Sequence, residues 1–113
     1  MTQFYQKDNI LEIADGDQDF LKTLVRVFIE EVHQDLYSLE EAILNENRGL
    51  ALRYTHKMQP NMETFGIHAA EDFEAIDEWS KASKSKSAIL KNLQNLLDTL
   101  HSVFDELKAD FKL

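Results

Sequence analysis

Apolar residues recur at every third or fourth position over most of the chain, and polar residues fill the positions between them. This spacing is that of one face of an α helix, and no segment alternates apolar and polar residues as a half-buried strand would. Four long segments carry the pattern. Their apolar stripes are Leu21, Val25, Phe28, Val32, Leu36, Leu39 and Ile43; then Ala51, Thr55, Met58, Met62 and Phe65; then Ala69, Phe73, Ile76 and Trp79; and last Ile89, Leu93, Leu96, Leu100, Phe104, Leu107 and Phe111. The pattern predicts an all-α protein.

Turn-forming and helix-capping residues separate these segments. The breaks are Asp15-Gly16-Asp17, Asn45-Glu46-Asn47 with Gly49, Phe65-Gly66, and the polar loop at 81–87. They predict helices from about Gln18 to Leu44, from about Ile67 to Lys81 and from about Ala88 to the C-terminus, a further helix that carries His56, and a short helical turn over Asn9 to Ala14. Because the connections are short, we expect an up-and-down, antiparallel four-helix bundle with one extra N-terminal turn.

Composition limits the functions that such a bundle can have. A chain of 113 residues with 43% hydrophobic residues can form one domain, 1–113, with a single core. A net charge of -9 argues against nucleic acid as a partner, because phosphate backbones require clustered Lys and Arg. The chain has no cysteine, no run of ~18 apolar residues, and no signal-like pattern in its opening residues 1–7. We therefore expect a cytoplasmic protein with no membrane contact.

His56 is the residue with the most distinctive position. At ~100° per residue, it lies about 140° from the centre of its apolar stripe and should face solvent. His33 and His101 also lie outside their stripes, so exposure alone does not single out His56. His68 follows Gly66 near a helix start. No His-x-x-x-His pair and no inward-facing Glu-x-x-His pair occurs, and the sequence predicts no metal site.

The sequence around His56 completes a wider pattern. Its elements are Asp17-Gln18-Asp19-Phe20-Leu21, Phe28, Leu39, Ala42-Ile43, His56-Lys57-Met58, and Gly66 ten residues past the histidine. In combination they resemble a histidine-containing phosphotransfer (HPt) domain, the four-helix carrier of bacterial two-component phosphorelays. The resemblance covers most of the chain, from Ile10 to about Trp79. It implies that His56 accepts a phosphoryl group from an aspartate of one response-regulator receiver domain and passes it to another.

The resemblance also implies the partners and cofactors. The partners would be receiver domains, including one of a hybrid histidine kinase, and the chain would be either free-standing or part of such a kinase. Mg²⁺ would be bound by the receiver, so no cofactor is expected on this chain. The protein would be a monomeric carrier and not an autonomous enzyme. An imidazole suits this role, since its unperturbed pKa of ~6.5 leaves it largely neutral and nucleophilic near pH 7.

Two positions after His56 depart from the family pattern. Many HPt domains have Lys three residues after the histidine and Gly at the fourth, where this chain has Gln59 and Pro60. The Gln59 amide can donate hydrogen bonds to a phosphoryl group but adds no positive charge. Pro60 has no N–H for the carbonyl of His56, so we expect the helix to kink or loosen there, and Pro60 with Gly66 to take part in ending it.

The predicted receiver contact consists of four residues near His56. They are Leu52, Lys57, Pro60 and Glu63. Leu52, on the His56 side of the helix, is expected to be exposed and to seat an apolar part of the receiver. Glu63 lies on the same side and would repel a phosphate, and Lys57 points away from His56. The predicted role of Gly66 is structural.

A second interpretation remains open. Gln59, Pro60 and Glu63 also suit an unphosphorylated four-helix module that docks a receiver or another helical partner. An autonomous hydrolase or metalloenzyme fits less well, because no nucleophile–base pair or ligand set is visible.

Overall fold

Five α helices and one 3₁₀ turn make up the secondary structure of residues 4–113, the part of the chain that the computed structural model describes. The helices are α1 (Lys7–Ala14), α2 (Gln18–Leu44), α3 (Arg48–Phe65), α4 (Ala70–Ser80) and α5 (Leu90–Phe111), and the 3₁₀ turn is Lys86–Ala88. Residues 1–3, which belong to the opening segment predicted to carry no signal pattern, lie outside the described part. The all-α prediction is confirmed for residues 4–113.

Side-chain caps start the two helices that matter most for the candidate site. The Asp17 carboxylate accepts a hydrogen bond from the backbone N–H of Phe20 at 3.0 Å and begins α2. The Asn47 side chain accepts from the N–H of Leu50 at 3.3 Å and begins α3. Each cap satisfies an N–H group that has no partner within its helix. Both caps fall in breaks that the sequence predicted.

Three predicted helix boundaries were wrong by a few residues. Helix α4 begins at Ala70 and not at Ile67, because Gly66 takes the left-handed conformation and the next residues link the two helices. Helix α5 begins at Leu90 and not at Ala88, because the chain first forms the 3₁₀ turn. The predicted N-terminal turn is a longer helix, since α1 already begins at Lys7.

The apolar stripes form one shared core. Helix α2 packs on α3, α3 on α4, and α4 on α5, and α5 packs on α2 to close the ring. Helix α1 packs against both α2 and α3. Every residue of the four predicted stripes is buried in this core. At about 25 cal/mol per Å² of apolar surface, such burial is the main source of stability in a chain without disulfides. Within residues 4–113, no helix is long and apolar enough to cross a membrane.

Gly66 lies where the N-terminal segment crosses the end of α3. It adopts φ 63° and ψ 40°, a left-handed conformation that is unfavourable for residues with a Cβ atom. The backbone N–H of Gln6 donates to the carbonyl of Phe65 at 2.8 Å, and a Cβ atom on Gly66 would overlap the Gln6 side chain. Both the dihedral angles and the close approach therefore require glycine at this position.

Candidate functional site

His56 lies near the middle of α3 and faces solvent. Its side chain is 58% exposed, whereas its neighbours Thr55 and Met58 are buried in the core. The helix is capped by Asn47 at its N-terminal end and by Gly66 at its C-terminal end. Its buried stripe prevents rotation about the helix axis. The prediction that His56 faces solvent is confirmed, and its imidazole is presented from a well-anchored helix.

The imidazole of His56 contacts a carboxylate on the next helix. Nε2 lies 2.8 Å from Oδ1 of Asp77 on α4, and Oδ2 of Asp77 lies 3.0 Å from Nζ of Lys81, the residue that follows the last residue of α4. The Lys81 bond, with a smaller contribution from His56, lowers the pKa of the Asp77 carboxyl against the opposing effect of burial. Asp77 is therefore ionised at neutral pH and can only accept hydrogen bonds.

Lys57 points to the other neighbouring helix. Its Nζ donates to Oδ1 of Asp35 on α2 at 2.9 Å, and this bond raises the pKa of the Lys57 ammonium. The Asp35 side chain is only 5% exposed, and its second oxygen has no hydrogen-bond partner among the described residues. The expectation that Lys57 points away from His56 is confirmed. Its ammonium is engaged with a buried charge, and its predicted contact with a partner stays a prediction.

A groove of about 280 Å³ runs between α3 and α4 beside His56. Its lining residues are His56, Gln59, Met62, Glu63, Ile67, Ala70, Phe73, Glu74 and Asp77. The floor is apolar, and the rim carries three carboxylates and the imidazole. Of the predicted site residues, Gln59 and Glu63 share this groove with His56, whereas Leu52, Lys57 and Pro60 do not line it. The structure thus brings together only part of the predicted set.

Helix α3 continues through Pro60. The helix ends at Phe65, five residues later, so Pro60 itself does not end it. The carbonyl of Pro60 accepts a hydrogen bond from the Thr64 hydroxyl at 2.9 Å. Pro60 is exposed, and because it has no N–H it cannot bond the carbonyl of His56. It lies one turn beyond the imidazole, on the solvent side of the helix.

Leu52 differs from its prediction. It is half buried and not exposed, and its carbonyl accepts a hydrogen bond from the Thr55 hydroxyl at 2.8 Å. The stripe spacing gave its direction around α3 but not how closely neighbouring residues cover it. Less of its apolar surface is available to a partner than the sequence suggested.

The other histidines are exposed, as predicted for His33 and His101, but these two are not isolated. Their ring centroids lie 6.0 Å apart, across α2 and α5, and both rings pack on Phe104. This aromatic contact was missed by sequence reasoning. Within residues 4–113, no three His, Cys, Asp or Glu side chains are grouped so that they could hold a metal ion.

Asp77 is the main residue that sequence reasoning missed at the site. It lies 21 positions from His56 on another helix, and helical periodicity says nothing about which residues meet across two helices. The spacing of Asp77 and Lys81 was visible, because an acidic and a basic residue four positions apart commonly pair on a helix. That pair alone did not point to His56.

No family model, curated protein or solved structure matches the chain. The functional assignment therefore depends on the residues around His56 and on their geometry.

Proposed function

We propose that this protein is a phosphorelay intermediate, in which His56 accepts a phosphoryl group from a receiver-domain aspartate and passes it to another receiver. The observation that carries the proposal is the exposed imidazole on a helix anchored at both ends. Phosphoryl transfer depends mainly on in-line positioning and charge stabilisation, and it requires little other chemistry from the protein. An exposed, well-positioned nucleophile with open space beside it meets that requirement.

The ring of packed helices is consistent with this role. The sequence of contacts from α2 through α3 and α4 to α5, and back to α2, supports an antiparallel four-helix bundle with α1 added to one side. We infer that the bundle serves as a rigid support that holds His56 still while a receiver docks. In this proposal the protein acts in the cytoplasm as a monomeric carrier, free-standing or within a hybrid kinase.

The charges near His56 indicate what the partner must supply. Asp77, Glu63 and Glu74 surround the groove, and Lys81 is the cation bonded to Asp77. The Gln59 amide, in the same groove, is a hydrogen-bond donor without charge. A receiver would therefore have to bring most of the positive charge, including its own Mg²⁺, to neutralise the transferred group.

The receiver would approach over the solvent side of α3. In this proposal Glu63 and Pro60 lie on the approach path and Leu52 and Lys57 lie at its margin. The groove beside the histidine has a small apolar floor, to which the largely buried Met62 and Phe73 contribute. An apolar centre with a polar rim is the usual composition of a protein interface.

The test is direct transfer of a labelled phosphoryl group. The protein is incubated with a ³²P-phosphorylated receiver, and acid-labile, base-stable label is followed in wild type, His56→Gln and the control His33→Gln. We expect label on wild type and on His33→Gln, and none on His56→Gln. Absence of label on wild type with several receivers would overturn the carrier role, and label retained on His56→Gln would exclude His56 as the acceptor.

The alternative is a docking module that binds a receiver without phosphorylation. The engagement of Nε2 with Asp77 and the acidic rim of the groove favour it, because both oppose an incoming phosphate. Titration calorimetry with the same receivers separates the two functions. Binding without any transfer of label would support the docking module, whereas binding together with label on His56 would support the carrier.

A further inference from the structure

A second groove runs along α3, on the side that faces α2. Its volume is about 930 Å³, and it is lined by α2 and α3, whereas the groove beside His56 lies between α3 and α4. Three carboxylates line it, those of Glu30, Glu31 and Asp35, and Lys57 is the one Lys or Arg among its described lining residues. The groove therefore carries more negative than positive charge, and it suits a cationic ligand better than nucleic acid or an anionic lipid surface.

Asp35 has an acceptor oxygen that no described residue uses. Its side chain is 5% exposed, and Oδ1 accepts a hydrogen bond from Nζ of Lys57 at 2.9 Å. Oδ2 has no hydrogen-bond partner within residues 4–113. A buried carboxylate oxygen without a donor costs free energy, and buried polar groups in folded proteins are nearly always paired. A donor that enters the groove beside Asp35 would remove that cost.

Lys57 shows that this part of the groove holds a cation. Its ammonium lies 2.9 Å from Asp35 and 6.0 Å from the centre of the Tyr54 ring. The hydrogen bond to Asp35 raises the pKa of Lys57 most, and the nearby charge of Glu31 raises it further. Carboxylates and aromatic faces are the groups that bind cationic side chains in proteins. An ammonium, however, is a point charge, and here it engages only one oxygen of Asp35.

The neighbouring acceptors match the shape of an arginine side chain. Glu31 and Asp35 are four residues apart on α2, so their side chains are neighbours on its surface. A guanidinium has five N–H donors in a rigid plane and can bond two carboxylates at once. Tyr37 is 67% exposed and lines the same groove, so the guanidinium plane can stack on its ring. Val27 lines the groove and is 50% exposed, so it can cover the methylene stem.

We propose that the groove between α2 and α3 binds an arginine side chain of a partner protein, whose guanidinium bonds Glu31 and Oδ2 of Asp35. Lys57 keeps its bond to Oδ1, so the pair that neutralises the buried carboxylate is not broken. Because Oδ2 is covered in the free protein, binding includes a rearrangement of the side chains around it. The inference goes beyond the proposed phosphorelay function and does not rest on it, since the groove lies on the other side of α3 from the groove beside His56.

The first experiment titrates ¹⁵N-labelled protein, by NMR at about pH 7.5, with a short peptide that carries one arginine. The probe is acetyl-Ala-Arg-Ala-amide, and the matched peptides replace arginine with lysine or with citrulline, which keeps the shape but has no charge. We expect amide shifts centred on the stretches 30–38 and 54–57, with a Kd of about 1 mM for the arginine peptide. The lysine peptide should bind about threefold more weakly, and the citrulline peptide at least about tenfold more weakly.

Three variants locate the binding site. Glu31→Gln removes a carboxylate that bonds the guanidinium, and Tyr37→Ala removes the stacking surface. The control, Glu41→Gln, is an equal charge loss at an exposed position of α2 outside the groove. All three positions are exposed, so the fold should be retained. We expect the Kd to rise about fivefold in Glu31→Gln, about threefold in Tyr37→Ala, and by less than about twofold in Glu41→Gln.

Asp35 is tested without replacing it, because its loss would leave Lys57 without its partner. The carboxylate carbon of Asp35 is observed by ¹³C NMR in wild type. We expect its resonance to shift when the protein is saturated with the arginine peptide and to stay unchanged with the citrulline peptide. An Asp35 resonance that the arginine peptide does not move would exclude Oδ2 as an acceptor.

Each remaining outcome supports or overturns the arginine site. Absence of binding at about 10 mM arginine peptide would overturn it, as would an equal Kd for the citrulline peptide. An equal Kd for the lysine peptide would overturn the role of the guanidinium. A loss in Glu41→Gln as large as in Glu31→Gln would mean that the overall charge of the protein, and not the groove, holds the peptide. His56→Gln should bind with the wild-type Kd, so failure of this site and failure of phosphotransfer are detected separately.

Discussion

His56 and Lys57 are neighbours in α3, yet each is bonded to an aspartate on a different helix. Lys57 reaches back to Asp35 on α2 at 2.9 Å, and His56 reaches across to Asp77 on α4 at 2.8 Å. The distances are nearly equal, but the carboxylates differ in burial, at 5% exposed for Asp35 and 22% for Asp77. Both contacts border grooves, but the Lys57 contact neutralises a buried carboxylate, whereas the His56 contact involves a more exposed one.

This difference separates a structural contact from an adaptable one. A buried carboxylate is costly without a cation, so the Asp35 contact commits Lys57 to the fold. Asp77 is also bonded to the Lys81 ammonium, so His56 can change partner without leaving an isolated carboxylate. The side of α3 that faces α2 should therefore carry stability, and the side that faces α4 should be free for chemistry.

The largest expected effect is on the α2 side, at the aromatic contact that joins the two helices. Phe65 of α3 stacks on Phe28 of α2 with ring centroids 3.8 Å apart, and Phe65 is 2% exposed. We expect Phe65→Ala to lower the free energy of unfolding by about 3–5 kcal/mol in urea denaturation. The control is Phe20→Ala, which removes the same atoms from an exposed position and should cost about 0.5 kcal/mol or less. Equal losses would contradict the assignment of stability to this side.

A smaller loss is expected for Lys57→Met, which keeps most of the side-chain volume and removes the charge. The variant leaves the Asp35 carboxylate buried without its cation, so stability should fall by less than in Phe65→Ala. The double variant Lys57→Met with Asp35→Leu should recover most of the loss, because the buried charge is gone as well. Urea denaturation of wild type, Lys57→Met and the double variant measures these differences in the free energy of unfolding. If the double variant were no more stable than Lys57→Met, the buried carboxylate would not be the cause.

The sequence was sufficient for the parts of the fold that depend on local spacing. The bounds of α2 and the buried stripes follow from helical periodicity and caps such as Asp17. The link between α3 and α4 was misplaced, because a single left-handed residue, Gly66, sets where one helix stops but not how soon the next begins. Contacts between side chains on different helices could not be predicted from the sequence. The bonds from His56 to Asp77 and from Lys57 to Asp35 depend on how the helices face each other, which residue spacing does not encode.

On the side of α3 that faces α4, the pH dependence of stability should report the ionisation of the Asp77 carboxyl. Because its pKa is lowered in the folded protein, the unfolded chain binds more protons, and the contribution of Asp77 to stability is present above about pH 4 and lost as pH falls through the folded pKa. We expect wild type to exceed Asp77→Asn by at most about 1 kcal/mol at pH 7, and this difference to vanish near pH 2. Urea denaturation between pH 2 and 7 measures it. A difference that persists at pH 2 would mean that Asn at position 77 disturbs packing and not charge.

The smallest expected effect on stability is that of His56→Gln, the substitution that should abolish transfer. The imidazole is 58% exposed, and Asp77 keeps its bond to Lys81 when the histidine is lost. The free energy of unfolding should therefore change by less than about 0.5 kcal/mol, as for most exposed pairs. Urea denaturation of His56→Gln and Lys57→Met in the same series compares the effects of two adjacent positions on one helix. A loss as large as that of Lys57→Met would mean that the His56–Asp77 contact supports the fold, and loss of transfer in His56→Gln could then no longer be attributed to chemistry alone.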